Sequence, residues 1–80
     1  MAIHEDVTDH CPECGEFLDR DFDQRIDQYQ QTVDFTICHG DPAHAWKILK
    51  LYRDRSVYHY LLVGPYEPDK IDEVLKPYGS

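Results

Sequence analysis

The stretch HCPECGEF, residues 10–17, governs how the rest of the chain is read. Cys11 and Cys14 are separated by Pro12 and Glu13, and Gly15 follows directly. Pro12 fixes its own φ and Gly15 accepts a positive one, so the segment reads as a tight turn. Such a turn aims two sulfurs at one point, and Cys-x2-Cys supplies two of the four ligands of a tetrahedral metal. Cysteines on a Pro/Gly turn make poor core residues, so burial alone does not account for the pair.

Length and cysteine usage sharpen this reading. Eighty residues predict one domain over 1–80. A domain of that size hides only about 60–65% of its unfolded surface and often adds a disulfide, a metal or a partner chain. The three cysteines are an odd number, and MAIHEDVTDH (1–10) carries charges where a secretory signal needs an apolar run. A disulfide framework is therefore not expected, and a reducing cytoplasm is the default location. No apolar run approaches the ~20 residues that cross a membrane.

Cys38 is the expected third ligand. It ends TVDFTIC (32–38), where Val33, Phe35 and Ile37 alternate with polar residues as in a strand with one buried face. No cysteine remains, so the fourth ligand is a histidine. His44 closes a Cys38-x5-His44 loop long enough to curl around an ion. His39 is the alternative, although neighbours on an extended chain point to opposite sides. His10 is a third choice. A structural Zn²⁺ in a Cys3His set is the expected cofactor, with a net charge of −1 on the cluster. Two rivals stand beside it: Cys38 as an ordinary buried residue, and Cys11/Cys14 as a redox dithiol. Glu13 and Glu16 beside the pair disfavour thiolates and so disfavour redox work.

CPECG, a hairpin-length spacer and CHGDPAHAW resemble the small CPxCG zinc-ribbon proteins of archaea and bacteria, over residues 10–46. That resemblance implies a structural metal, a β-hairpin between the two knuckles, and an interaction role rather than catalysis. The family usually places two cysteines in the second knuckle, where this chain has Cys38 and a histidine. Residues 47–80 match nothing familiar.

Around the knuckles the chain reads as strands. Residues 1–9 are polar and expected to fray and stay flexible. Leu18, Phe22, Ile26 and Tyr29 recur at helical spacing, yet the polar crowding of 16–31 favours an extended arm turning near DQYQQ (27–31). AWKILKLYR (45–53) and VYHYLLVG (57–64) read as an antiparallel hairpin turning near Arg53 to Ser56. In EPDKIDEVLKP (67–77), Ile71, Val74 and Leu75 share a helical face, Asp69 suits the start and Pro77 the stop. This helix is expected to cover the hairpin. The expected fold class is α+β: a zinc-ribbon hairpin extended into a small antiparallel sheet with one C-terminal helix.

Charge narrows the partners. The net charge is −8, with sixteen acids against eight bases and Asp the commoner acid. An Asp-rich surface suits a halophilic archaeal cytosol, where carboxylates keep a protein soluble in concentrated salt; an ordinary acidic domain is the plainer reading. Residues 1–44 carry −9 and residues 45–80 carry +1, so only the back half is suited to phosphates. There Trp46, Lys47, Lys50, Tyr52, Arg53 and Arg55 interleave bases and aromatics, a candidate nucleic-acid stripe. The competing reading makes these aromatics core and the charges their solvated neighbours. HExxH, Gly-x-Ser-x-Gly and phosphate-loop motifs are all missing, so the chain is not expected to be an enzyme or to take a small-molecule substrate. The expected function is a metal-stapled protein-interaction module or adaptor, regulatory in character. A nucleic-acid-binding ribbon and a thiol redox sensor are the alternatives.

Overall fold

The computed structural model describes residues 2–75. Five strands form one antiparallel sheet: β1 (Ala2–Val7), β2 (Asp23–Ile26), β3 (Thr32–Ile37), β4 (Ala45–Asp54) and β5 (Val57–Tyr66), in the order β1-β5-β4-β3-β2. A 3-10 turn (Pro68–Lys70) leads into α1 (Ile71–Leu75), the one α-helix among the described residues. The expected α+β class is thereby corrected to a small sheet-dominated fold. The physical reason lies in the helix. Five residues make less than two turns, and Ile71 is its only buried residue, so α1 plugs one patch rather than forming a layer. The stop assigned to Pro77 lies outside the described residues.

β4 and β5 are the backbone of the sheet. Their Leu, Ile, Val and Tyr content suits a half-buried pleat, and they pair from Ala45↔Tyr66 to Asp54↔Val57 with irregularities after Ala45 and after Ile48. The hairpin closes through Arg55 and Ser56, with Arg55 at φ 59°. β2 and β3 form the second hairpin, from Asp23↔Phe35 to Ile26↔Thr32, turning through residues 27–31 as the polar pattern predicts. Asp27 builds that turn by accepting the backbone N–H groups of Tyr29 and Gln31, both at 2.9 Å.

At the N-terminus, where the polar pattern gives no strand, Ala2–Val7 pairs with β5 from Ala2↔Gly64 to Val7↔Tyr60. The pairing is interrupted between His4 and Val7, where Asp6 takes φ 54°. His4 sets its ring edge-on to Trp46, with centroids 5.3 Å apart.

Pleating sorts the buried residues onto two faces. On one, Val33, Phe35 and Ala45 meet Ile71, with Tyr66 and Leu75 at the margin. On the other, Trp46, Tyr60 and Leu62 meet Cys11, Leu18 and Cys38. The expected cover is thus only half right: α1 covers the first face, and the irregular segment before β2 covers the second. Thr36 ties that segment down, its buried hydroxyl donating to the Asp19 carbonyl at 2.9 Å. Trp46 is fully buried because Gly64 on β5 leaves room for its ring. A Cβ at Gly64 would stand 2.8 Å from the indole and 3.0 Å from the Ala45 carbonyl oxygen. No helix among the described residues is long and apolar enough to cross a membrane.

Candidate metal centre

The first knuckle is held by its own backbone. The Gly15 N–H donates to the Cys11 carbonyl at 2.9 Å, and the Cys11 N–H donates to the Glu16 carbonyl at 2.7 Å. Gly15 sits at φ 77°, as the turn requires. His10 and Phe17 bridge across its base, and Leu18 bridges to Cys38, which brings the knuckle against the end of β3. The His39 N–H donates to the Phe17 carbonyl at 3.0 Å and closes the join.

The second knuckle curls back on itself. The Cys38 N–H donates to the His44 carbonyl at 3.0 Å, and the His44 N–H donates to the Cys38 sulfur at 3.1 Å. Between them the chain passes close to the sulfurs. A Cβ at Gly40 would stand 2.8 Å from the Cys14 Sγ and 3.5 Å from the Cys38 Sγ.

The two knuckles bring Cys11, Cys14, Cys38 and His44 together, with one ligand atom from each lying within 4.8 Å of every other. They lie close enough to hold a metal ion. Cys14 Sγ is 3.6 Å from Cys38 Sγ, and His44 Nδ1 is 3.7 Å from the sulfurs of both Cys11 and Cys38. Cys11 and Cys38 are buried, Cys14 is exposed and His44 is half-buried. The other two histidines considered do not join this group. His39 is exposed, and His10 lies against Phe17 with ring centroids 4.7 Å apart.

The thiols answer to different surroundings. Burial alone pushes the Cys11 thiol up. Hydrogen bonds from the backbone of Cys14 and Glu13 and from the Trp46 indole outweigh it and hold the group below 9.0. The indole Nε1–H lies 3.3 Å from the Cys11 sulfur. For Cys14 the Glu16 backbone favours the thiolate, but desolvation and the adjacent Cys11 and Cys38 sulfurs prevail and push the thiol up to about 11. The Cys14 thiol therefore resists losing its proton while its neighbours crowd it. A cation among them reverses that balance, because metal binding and thiol deprotonation are linked.

The stripe of bases and aromatics is broken up by the sheet. Trp46 is fully buried, and its indole serves Cys11. Tyr52 is exposed, but its ring stacks on His59 at 4.8 Å and its hydroxyl donates to Asp6 at 3.2 Å. Arg53 stands over the Tyr58 ring at 5.9 Å, and Arg55 occupies the turn. Lys47 is half-buried and Lys50 is exposed. The grouping of Asp6, Tyr52 and His59, with His59 Nδ1 2.6 Å from Asp6, was invisible in the sequence. Its members lie on three different strands, and no spacing rule joins them. The same holds for Trp46 and Cys11, which are 35 residues apart.

No protein-family model, curated protein or solved structure matches the chain. Its chemistry is therefore read from these four ligands and their neighbours alone.

Proposed function

We propose that the chain is a small zinc-binding protein in which Cys11, Cys14, Cys38 and His44 hold a structural Zn²⁺, and that the stapled domain acts as a protein-interaction module. The carrying observation is the ligand spacing. Zinc bonds of about 2.3 Å to sulfur and about 2.0–2.1 Å to nitrogen define a tetrahedron with edges of about 3.5–3.8 Å. The Cys14–Cys38, Cys11–His44 and Cys38–His44 separations, 3.6, 3.7 and 3.7 Å, fall in that range, and all four ligand atoms lie within 4.8 Å of one another. Thiolates and imidazole suit zinc better than hard cations. The Trp46 and His44 N–H groups stabilise the sulfur charge that such a set carries.

A structural role follows from the ligand count. Four protein ligands fill the tetrahedron and leave no position for a substrate, so we assign no catalytic residue. A ligated sulfur set also suits the reducing cytoplasm better than a redox sensor, whose thiols need a low pKa and free access. The interaction reading rests on the adjoining surface. A groove of about 660 Å³ runs beside His44, with Pro42, Pro65 and Tyr66 on its walls and Asp41, Glu67 and Asp69 around it. A basic protein surface is the complementary partner for these acids.

Elemental analysis with native mass spectrometry tests the proposal. One zinc per chain is expected, falling to none in Cys11→Ser and Cys38→Ser. A metal-free chain that keeps its fold in strong chelator overturns it. For the interaction role, Asp41→Asn with Glu67→Gln should release the partner that the zinc-loaded chain captures. Salt-sensitive retention of single-stranded nucleic acid instead would return the role to the back half.

A further inference from the structure

The distal half of the β4–β5 hairpin has an edge that the sheet leaves open. β3 pairs with β4 only at Ala45, Trp46 and Lys47, so from Lys50 to Asp54 one side of β4 carries no strand among the described residues. Leu49, Leu51, Tyr52 and Val57 all lie on this arm with 37–48% of their surface exposed. The other two edges are poorer templates. β2 is four residues long and its Arg25 is engaged by Asp23 and Asp72. β1 is interrupted at Asp6. Free edges are normally blunted by proline, bulges or charged side chains. Residues 50–54, KLYRD, contain no proline, and the charges they carry are of both signs; neither Lys50 nor Asp54 forms an ion pair among the described residues, so each is free to meet an opposite charge.

We infer that this edge pairs with the same edge of a second copy, antiparallel about a two-fold axis through Tyr52. The pleat and the charges select that register. A two-fold axis between antiparallel strands runs perpendicular to the sheet, so directly opposed residues must belong to the same face. Only axes through a residue satisfy this, and axes between residues fail. An axis through Lys50 opposes two lysines, and one through Arg53 opposes two arginines. An axis through Leu51 opposes Lys50 to Tyr52 and gains no ion pair. An axis through Tyr52 opposes Lys50 to Asp54 of the other copy, twice, with Tyr52 against Tyr52 and Leu51 against Arg53. Opposed opposite charges favour a register, and opposed like charges disfavour it. The pairing does not involve the metal ligands and stands or falls apart from the zinc reading.

Sedimentation equilibrium on the full, metal-loaded chain tests this. The expected result is a monomer–dimer equilibrium. Lys50→Asp alone and Asp54→Lys alone should each weaken it at least about tenfold, because each opposes like charges at both positions. Mixing the two variants should restore dimers, since each then presents the charge the other lacks, and the double variant should dimerise by itself. The rescue separates the register from a folding defect. A wild-type chain that remains monomeric at high concentration overturns the inference. So do single variants that dimerise normally, or a mixture that shows no recovery.

Discussion

The two faces of the sheet are closed by different means. On the face carrying Val33, Phe35 and Ala45, a short helix lowers Ile71 into the gap, and apolar contact does the work. On the face carrying Trp46, Tyr60 and Leu62, the covering chain is irregular and contributes Leu18 and two buried cysteines. The short helix reaches that face through a single buried side chain, Ile71. An irregular segment must be held at several points, here by the Thr36 hydroxyl, the Leu18–Cys38 bridge and the four convergent ligands. The difference teaches where a metal would serve a small protein: on the side where regular structure is missing.

The largest effect should come from removing the ion. Structural zinc in small domains contributes about 10–16 kcal/mol of apparent binding free energy, as large as or larger than the 5–15 kcal/mol that typical domains have in hand. Cys38→Ser, or strong chelator, should therefore release residues 8–22 and their face of the sheet. Hydrogen exchange should show lost protection there first. If instead both faces open together, the two are one cooperative unit and the contrast fails. Acid should act in the same direction, because protons compete with the ion for the thiolates and His44; zinc retention measured against pH should fall as the pH falls.

Next comes the helix face. Ile71 is 1% exposed, and Ile71→Ala should cost about 2–4 kcal/mol in denaturant unfolding. The variant should still bind one zinc. Loss of metal binding in it would show that the faces are coupled through the sheet.

Gly40→Ala probes the metal side more gently. Its new methyl would stand 2.8 Å from the Cys14 sulfur, so competition titration should show zinc bound at least about tenfold more weakly, the scale on which neighbours of a ligand shell act. The smallest change, and the only gain, is expected at the hairpin tip. Arg55 pays for a positive φ of 59°, and Arg55→Gly should stabilise by about 0.5–1 kcal/mol without touching either face.

The parts of this architecture that were legible in advance are those with a local signature. The β4–β5 hairpin shows in its long apolar runs, and the β2–β3 turn shows in DQYQQ. The convergence of Cys11, Cys14, Cys38 and His44 shows in cysteine spacing and in a loop length that favours His44 over His39. β1 has no such signature. Ile3 is 64% exposed, and the strand exists because β5 offers it backbone partners, which no pattern within residues 2–7 reveals. The helix was overestimated because Ile71, Val74 and Leu75 share a face, whereas Val74 is 47% exposed and the described helix spans only five residues. The aromatic stripe misled for a related reason. Period-two alternation separates neighbours onto opposite faces, so Trp46 went inward while Lys47 stayed near the surface.

The bond from the Trp46 indole to Cys11 has an optical consequence. The chain has a single tryptophan, and its ring nitrogen touches one of the sulfurs that would grip the ion. Ultraviolet emission excited at the red edge therefore arises from one chromophore seated on the centre, and loading or stripping the ion should be readable from the unlabelled protein in a cuvette.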